Sequence, residues 1–401
     1  MHLRVLSLLA AAALLVPAVA ACQSAAPATP TNPPAAATTA PAKPVVSPSP
    51  AGSPAVAVSP AASPAASPAA SPAASPAASP AASPAASPAA SPGAVSSPVA
   101  ASYPRPAAPP MPTGDQKGST SNPINMAFVP SSDSQKVLAS GQPLADLLTA
   151  ATNLNFKVSV PTAYIAVVEA MGSGQVDVGW LAPFAYVLAH DQNGSQVILT
   201  TLRQGSKSYR SQIIVRADSG INSIEQLRGK KFAFVDPASA SGFLFPNAML
   251  ANMGLDYKTF FSDTIFAGGH DKVVIAVYNK QVDGGATFGN SVDTGPPTDA
   301  RTLVQSTLPD VMSAVKPIAT TDPIPNDTVS VSSQLDPALV KLITDGLLYV
   351  QSTPEGRKAL NDLYQIDGLA PGNDADYDVL RQAARVLNLD LEQQIAPPKP
   401  G

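Results

Sequence analysis

The stretch "KKFAFVDPASASGFLFPNAMLANMG" (Lys230 to Gly254) decides the fold. The run "KKFAFV" reads as a strand, stops in a cluster of small and hydroxyl residues, and restarts at once as the helical apolar pattern "FLFPNAMLANMG". A strand that turns directly into a helix leaves the first helical amides unpaired and aimed at one point. Pro246 fits only in a first helical turn, where its missing N–H costs nothing, so the helix is expected to start near Ser241 to Phe243. The amides from about Ala240 to Leu244 are then free, with the hydroxyls of Ser239 and Ser241 beside them. Directed donors and partial positive charge suit a phosphate-like oxyanion. Ser239 reads equally well as a plain N-cap.

Outward from this junction, strand-like and helical runs alternate. Before it come "INMAFVP", "SQKVLASGQPLADLLTAA", "KVSVPT", "YIAVVEAMGSG" and "VDVGWLA"; after it come "DTIFAGG", "DKVVIAVYNKQ" and "VDGGATF". That order predicts βαβ units and an α/β fold with a mainly parallel sheet. Gln-Val-Asp recurs at two helix-to-strand junctions, in "SGQVDVGW" and "NKQVDGGA", which suggests two similar lobes with Asp177 and Asp283 in matching structural positions. Two extended passages, Ser208 to Gly220 and Lys316 to Asp327, are expected to cross between the lobes and to permit hinge closure on a ligand.

The first third of the 401-residue chain is of another kind. Residues 1–21 carry a basic residue, an apolar run and then small residues, the pattern of an export signal. Residues 22–118 hold eight tandem "AASP" units between Ala61 and Pro92. Proline at every fourth position removes backbone donors, and Ala and Ser bring too little apolar bulk to offset chain entropy, so this segment is expected to be a disordered spacer. The folded part then divides into a first lobe (119–214), a second lobe (215–322) and a return to the first (323–401).

Composition excludes several functions. The net charge of −4 and the lack of a basic block argue against nucleic acid as a partner. One cysteine, Cys22, allows no intrachain disulfide and no thiolate metal site, and three histidines, one inside the signal, make a histidine metal centre improbable. No cofactor is called for. Ser239, Ser241, His270 and Asp271 do not make a convincing catalytic triad, because Asp271 adjoins His270 in sequence and no Gly-x-Ser-x-Gly elbow is present. The chain is read as a non-enzyme with no catalytic residues.

The segments "FVPSSDSQKVLASGQPLADLL", "TAYIAVVEAMGSGQVDVGWLAPFAYVLA", "SYRSQIIVRADSGI", "GKKFAFVDPASASG", "FAGGHDKVVIAVYNKQVDGGATF" and "PIPND" resemble, in the same order, the phosphonate, phosphite and phosphate-type substrate-binding proteins of ABC importers. The resemblance implies a two-lobed type II periplasmic-binding-protein fold with a small phosphorus oxyanion held between the lobes, and as partners a membrane permease and its separate ATPase. It implies ligand contacts from Tyr164, Tyr209, Ser239, Ala240, Ser241 and His270. Ala240 stands where many relatives carry a hydroxyl and offers only its amide. In the loop where aminoalkylphosphonate-binding relatives place an acid, this chain has Asn290, with Asp293 further on, so an amine-bearing phosphonate is not the expected ligand. Val19-Ala20-Ala21-Cys22 resembles the lipobox of bacterial lipoproteins, which implies lipidation at Cys22 and an extracytoplasmic, membrane-anchored protein. A receptor for another small organic solute, or a surface module without a transport role, remains as an alternative reading.

Overall fold

The computed structural model describes residues 102–290 and 297–389. The export signal, Cys22, the AASP repeats and Asp293 lie outside the described residues.

The first lobe begins β1 (Ile124–Phe128), α1 (Ser134–Thr152), β2 (Phe156–Ser159), α2 (Tyr164–Gly172), β3 (Val178–Leu181), α3 (Pro183–Asn193) and β4 (Gln196–Leu202). The second lobe follows with β5 (Ser208–Arg216), β6 (Lys231–Phe234), α4 (Phe245–Asn252), α5 (Tyr257–Phe260), β7 (Asp263–Phe266), α6 (His270–Tyr278), β8 (Gly284–Phe288), α7 (Val311–Ala314) and β9 (Val315–Pro325). The chain then returns through β10 (Thr328–Val331), α8 (Pro337–Ser352), α9 (Pro354–Tyr364), β11 (Gly368–Pro371) and α10 (Asp378–Val386).

The strands form a six-stranded sheet, β11-β4-β10-β3-β1-β2, and a five-stranded one, β7-β6-β8-β5-β9. Only the helix-connected strands are parallel: β2-β1-β3 in the first sheet and β7-β6-β8 in the second. β10, β11, β5 and β9 pair antiparallel. The sheets are therefore mixed, because these strands are reached by crossing between lobes and not through a right-handed βαβ crossover. β5 belongs to the second sheet from Ser208 onward, earlier than the boundary at residue 214 read from the sequence.

The two Gln-Val-Asp motifs do the same job in each lobe. Asp177 gives its amide to Asn125 O and takes the Asn125 amide on Oδ2 at 2.7 Å. Asp283 does this to Lys231, with the Lys231 amide 2.9 Å from its Oδ2. Each carboxylate thus fixes the register of the neighbouring parallel strand. Residues 102–118, read as the end of the spacer, lie along the first lobe. Asn153 Nδ2 donates to Pro109 O at 2.9 Å, the Asn155 amide donates to Gly118 O at 2.8 Å, and Lys117 pairs with Asp177 at 2.6 Å.

Two short passages join the lobes. Asn326 stitches them together: its amide donates to Lys207 O, and its side-chain Nδ2 donates to Thr201 O and Ser206 O, each at 2.9 Å. One buried apolar cluster runs from Phe184 and Tyr186 of α3 through Leu244 and Ala248 to Leu380 and Ala384 of α10. The last helix therefore packs against both lobes behind the hinge.

Candidate functional site

The strand-to-helix junction is wider than expected. A five-residue π-helical turn, Ala240–Leu244, precedes α4; the Leu244 amide bonds Ser239 O at 3.0 Å and the Phe245 amide bonds Ala240 O. Pro246 sits in the first turn of α4, so regular helix begins later than residues 241–243. The i→i+5 spacing absorbs the extra residue, a device often found at functional sites. Gly242 is required inside this turn, since a Cβ there would lie 2.4 Å from Val235 Cβ. Ser239 Oγ accepts the Gly242 amide at 3.0 Å, which makes it the N-cap and leaves its O–H free to donate elsewhere.

The junction faces a cavity of about 200 Å³ between the lobes. Tyr164, Tyr209, Ser239, Ser241 and His270 all line it. Ala240 and Asn290 do not line it: the Ala240 methyl is buried in the apolar cluster, and Asn290 Oδ1 accepts the Thr298 amide at 2.9 Å, with Phe288 and Gly289 lining the wall instead.

The lobes are bonded to each other across the cleft. Helix α2 has no cap from its own N-cap residue, Ala163; Asp236, from the second lobe, instead takes the Tyr164 amide on Oδ2 at 3.3 Å. A carboxylate at a helix N-terminus gains from the unpaired amides and the dipole. The His270 amide donates to Ser131 O at 2.9 Å, and Gln365 Nε2 donates to Thr302 Oγ1 at 3.3 Å. This is a closed form.

Tyr164 is 1% exposed, and its hydroxyl is buried in the cavity wall with no hydrogen-bond partner among the described residues. Burial, and then the charge of Asp236, pushes its pKa well up, so the hydroxyl stays protonated as a donor. Burial likewise raises Tyr209, whose hydroxyl lies against Ser241.

His270 is 6% exposed. Its Nδ1 receives the Phe288 amide at 3.4 Å and lies 2.8 Å from Thr287 Oγ1. A backbone N–H only donates, so Nδ1 is the unprotonated nitrogen and Nε2 carries the hydrogen that the ring can offer to the cavity. Burial, with a smaller push from Arg203, lowers the imidazole pKa to about 3. The unfolded chain therefore binds a proton between about pH 6.5 and pH 3 that the folded one refuses, and stability falls as pH drops through that window. The expected slope reaches about 1.4 kcal/mol per pH unit. Asp236 and Asp271, raised by burial, act in the opposite direction. The difference between the parent and His270→Gln in urea titrations from pH 7 to pH 4 isolates the imidazole; equal slopes would refute the neutral buried ring.

Among the cavity residues that escaped the sequence reading are Arg203, Asp327 and Tyr364. Arg203, just after β4, pairs through Nη2 with Asp327 Oδ2 at 2.6 Å and donates from Nε to Tyr364 O at 3.0 Å. Tyr364 ends α9 and donates its hydroxyl to Val129 O at 2.7 Å. Most of the two passages expected to cross, Ser208 to Gly220 and Lys316 to Asp327, is strand of the second sheet, and the connections between lobes are the short segments 203–207 and 326–327. Arg203 and Asp327 lie in these, so the ion pair spans the hinge at the edge of the cavity. "PIPND" held a signal for Asp327; nothing local marked Arg203 or Tyr364.

Two α/β lobes, joined by two short crossings and closed over a cavity lined with donors, define a two-lobed periplasmic-binding protein of the type II fold. The sequence pattern of the ABC-transporter periplasmic phosphonate substrate-binding protein family matches residues 126–377, and the chain belongs to that family. It is 30% identical over 282 residues to the phosphate-import protein PhnD of Mycolicibacterium smegmatis, a match covering 66% of this chain and 85% of that one. It is 29% identical over 236 residues to the phosphonates-binding periplasmic protein of Escherichia coli, covering 58% of this chain and 65% of the other. The crystal structure of PhnD1 from Prochlorococcus marinus with methylphosphonate is similar in fold, with a TM-score of 0.57 at 19% identity, covering 66% of this chain and 98% of that one.

Proposed function

We propose that this protein is the extracytoplasmic solute-binding component of an ABC importer, capturing a small phosphorus oxyanion (phosphonate, phosphite or phosphate) between its lobes. The observation that carries the reading is the buried, unpartnered Tyr164 hydroxyl beside Ser239, Ser241 and the free end of the π-helical turn. A buried polar group without a partner costs about 1–3 kcal/mol, and an oxyanion supplies the acceptor that this one lacks. Beside Tyr164 the donors are neutral hydroxyls, amides and the Nε2–H of His270, and two cations also line the cavity, Arg203 in its pair with Asp327 and Lys136 of α1, so recognition combines directed hydrogen bonds with positive charge. Family membership and the naming of relatives as importer components support the role.

Binding, not catalysis, fits the histidine. His270 Nδ1 is occupied by Thr287 and the Phe288 amide, which leaves the proton on Nε2 toward the cavity, where it donates and cannot accept a proton as a base; among the described residues no carboxylate bonds Nδ1. We further propose that Cys22 carries a lipid and that the Pro-rich segment after it tethers the receptor outside the membrane; a Cys22→Ala chain that still fractionates with membranes would refute this. The transport role is tested by calorimetry with phosphate, phosphite and methylphosphonate. At least one is expected to bind with micromolar or tighter Kd and to raise Tm, and silence with all three would refute it.

A further inference from the structure

The cavity has two ends of different chemistry. At one end, the bond between Asp236 and the Tyr164 amide joins the start of α2 to the β6–α4 junction, bringing together Tyr164, Ser239 and Ser241, with Tyr209 against Ser241. The other end is a wall made where α1 packs on α9, with Val137, Ser140 and Leu363 lining the cavity beside Lys136 and Asp362. The bond from Gln365 to Thr302 brings Leu303 of the second lobe to that wall. Trp180 and Phe288 also line the cavity. Trp180 turns its single N–H into the core, 3.3 Å from Met126 Sδ, and so offers the cavity only carbon.

Size separates the possible ligands. A dry cavity of about 150 Å³ is enough for a benzene-sized molecule. The 200 Å³ here exceeds what one tetrahedral oxyanion of five heavy atoms fills. Charge narrows the choice further. Among the described residues, the two carboxylates that line the cavity are both paired, Asp327 with Arg203 and Asp362 with Lys358. Neither is left to receive an ammonium group.

The geometry points to an organic phosphonate carrying an uncharged, apolar substituent of several carbons as the preferred ligand, its phosphonate at the hydroxyl end and its tail against Val137, Leu303 and Leu363. This rests on the oxyanion reading of the same site and goes beyond it by assigning the remaining space. Each buried methylene is worth roughly a fourfold gain in affinity, so a chain extended by three carbons is expected to gain at least tenfold even when burial is incomplete.

Calorimetry of the full chain with phosphate, methylphosphonate, n-butylphosphonate and 2-aminoethylphosphonate tests this. The expected result is n-butylphosphonate at least tenfold tighter than methylphosphonate, with 2-aminoethylphosphonate weaker than n-butylphosphonate. Butyl binding no tighter than methyl, or aminoethyl binding tightest, overturns the inference while leaving the oxyanion site intact. No binding of any of the four overturns the proposed function, and the inference with it. In Ser140→Phe, where a ring occupies the α1 wall, the butyl advantage is expected to vanish; if it persists in a variant that melts like the parent, the tail does not lie on that wall and the assignment falls.

Discussion

Tyr164→Phe is expected to melt at or above the parent temperature without ligand, yet to bind its oxyanion about 10- to 100-fold more weakly. The two halves have opposite signs because the hydroxyl is buried with no protein partner among the described residues. Removing it breaks no bond and relieves the cost of a stranded polar group, roughly 1 kcal/mol or more. In the complex the same hydroxyl donates to an anion, and a hydrogen bond to a charged group contributes about 1.5–3 kcal/mol, which is the stated loss of affinity. Ser239→Ala is the contrasting case, because Ser239 Oγ already caps the π-helical turn through the Gly242 amide. That variant is expected to lose about 1 kcal/mol of stability even without ligand. Thermal melts of the free proteins, paired with calorimetry, separate the two roles. Unchanged affinity in Tyr164→Phe would remove the central donor from the proposed site.

Most of what the sequence disclosed is local in character. A strand that breaks into Asp-Pro-Ala-Ser-Ala-Ser-Gly and resumes as a helix specifies free amides whatever surrounds it, and the Gln-Val-Asp junctions specify a side-chain bracket on the next strand. The π-helical spacing was not legible, because it depends on Gly242 meeting Val235 in three dimensions. Arg203, Asp327 and Tyr364 were missed for a related reason. Arg203 and Asp327 become neighbours only because the chain leaves the first lobe and comes back 124 positions later. Composition misjudged residues 102–118 as free spacer, since proline content says nothing about the Asn153 and Asp177 side chains that hold that segment.

The hinge ion pair yields the second large effect. Arg203 and Asp327 both line the cavity, and as a 2.6 Å pair they present almost no net charge to a ligand. Arg203→Met leaves the Asp327 carboxylate facing an incoming anion. At roughly 6 Å and an effective dielectric near 20, that repulsion is about 3 kcal/mol, or about 100-fold in Kd. Asp327→Asn keeps an oxygen for Arg203 to bond but frees its positive charge, so oxyanion affinity is expected to rise about tenfold while the free protein loses stability through the broken pair. The double variant restores neutrality and should return affinity toward the parent value, a coupling that only the charges explain. Both single effects should shrink in high salt to the extent that water reaches the pair. If the two single variants instead weaken binding to the same degree, the pair serves only to hold the crossing passages together, and the selectivity of the cleft for anions rests on the hydroxyls, the amides, His270 and Lys136.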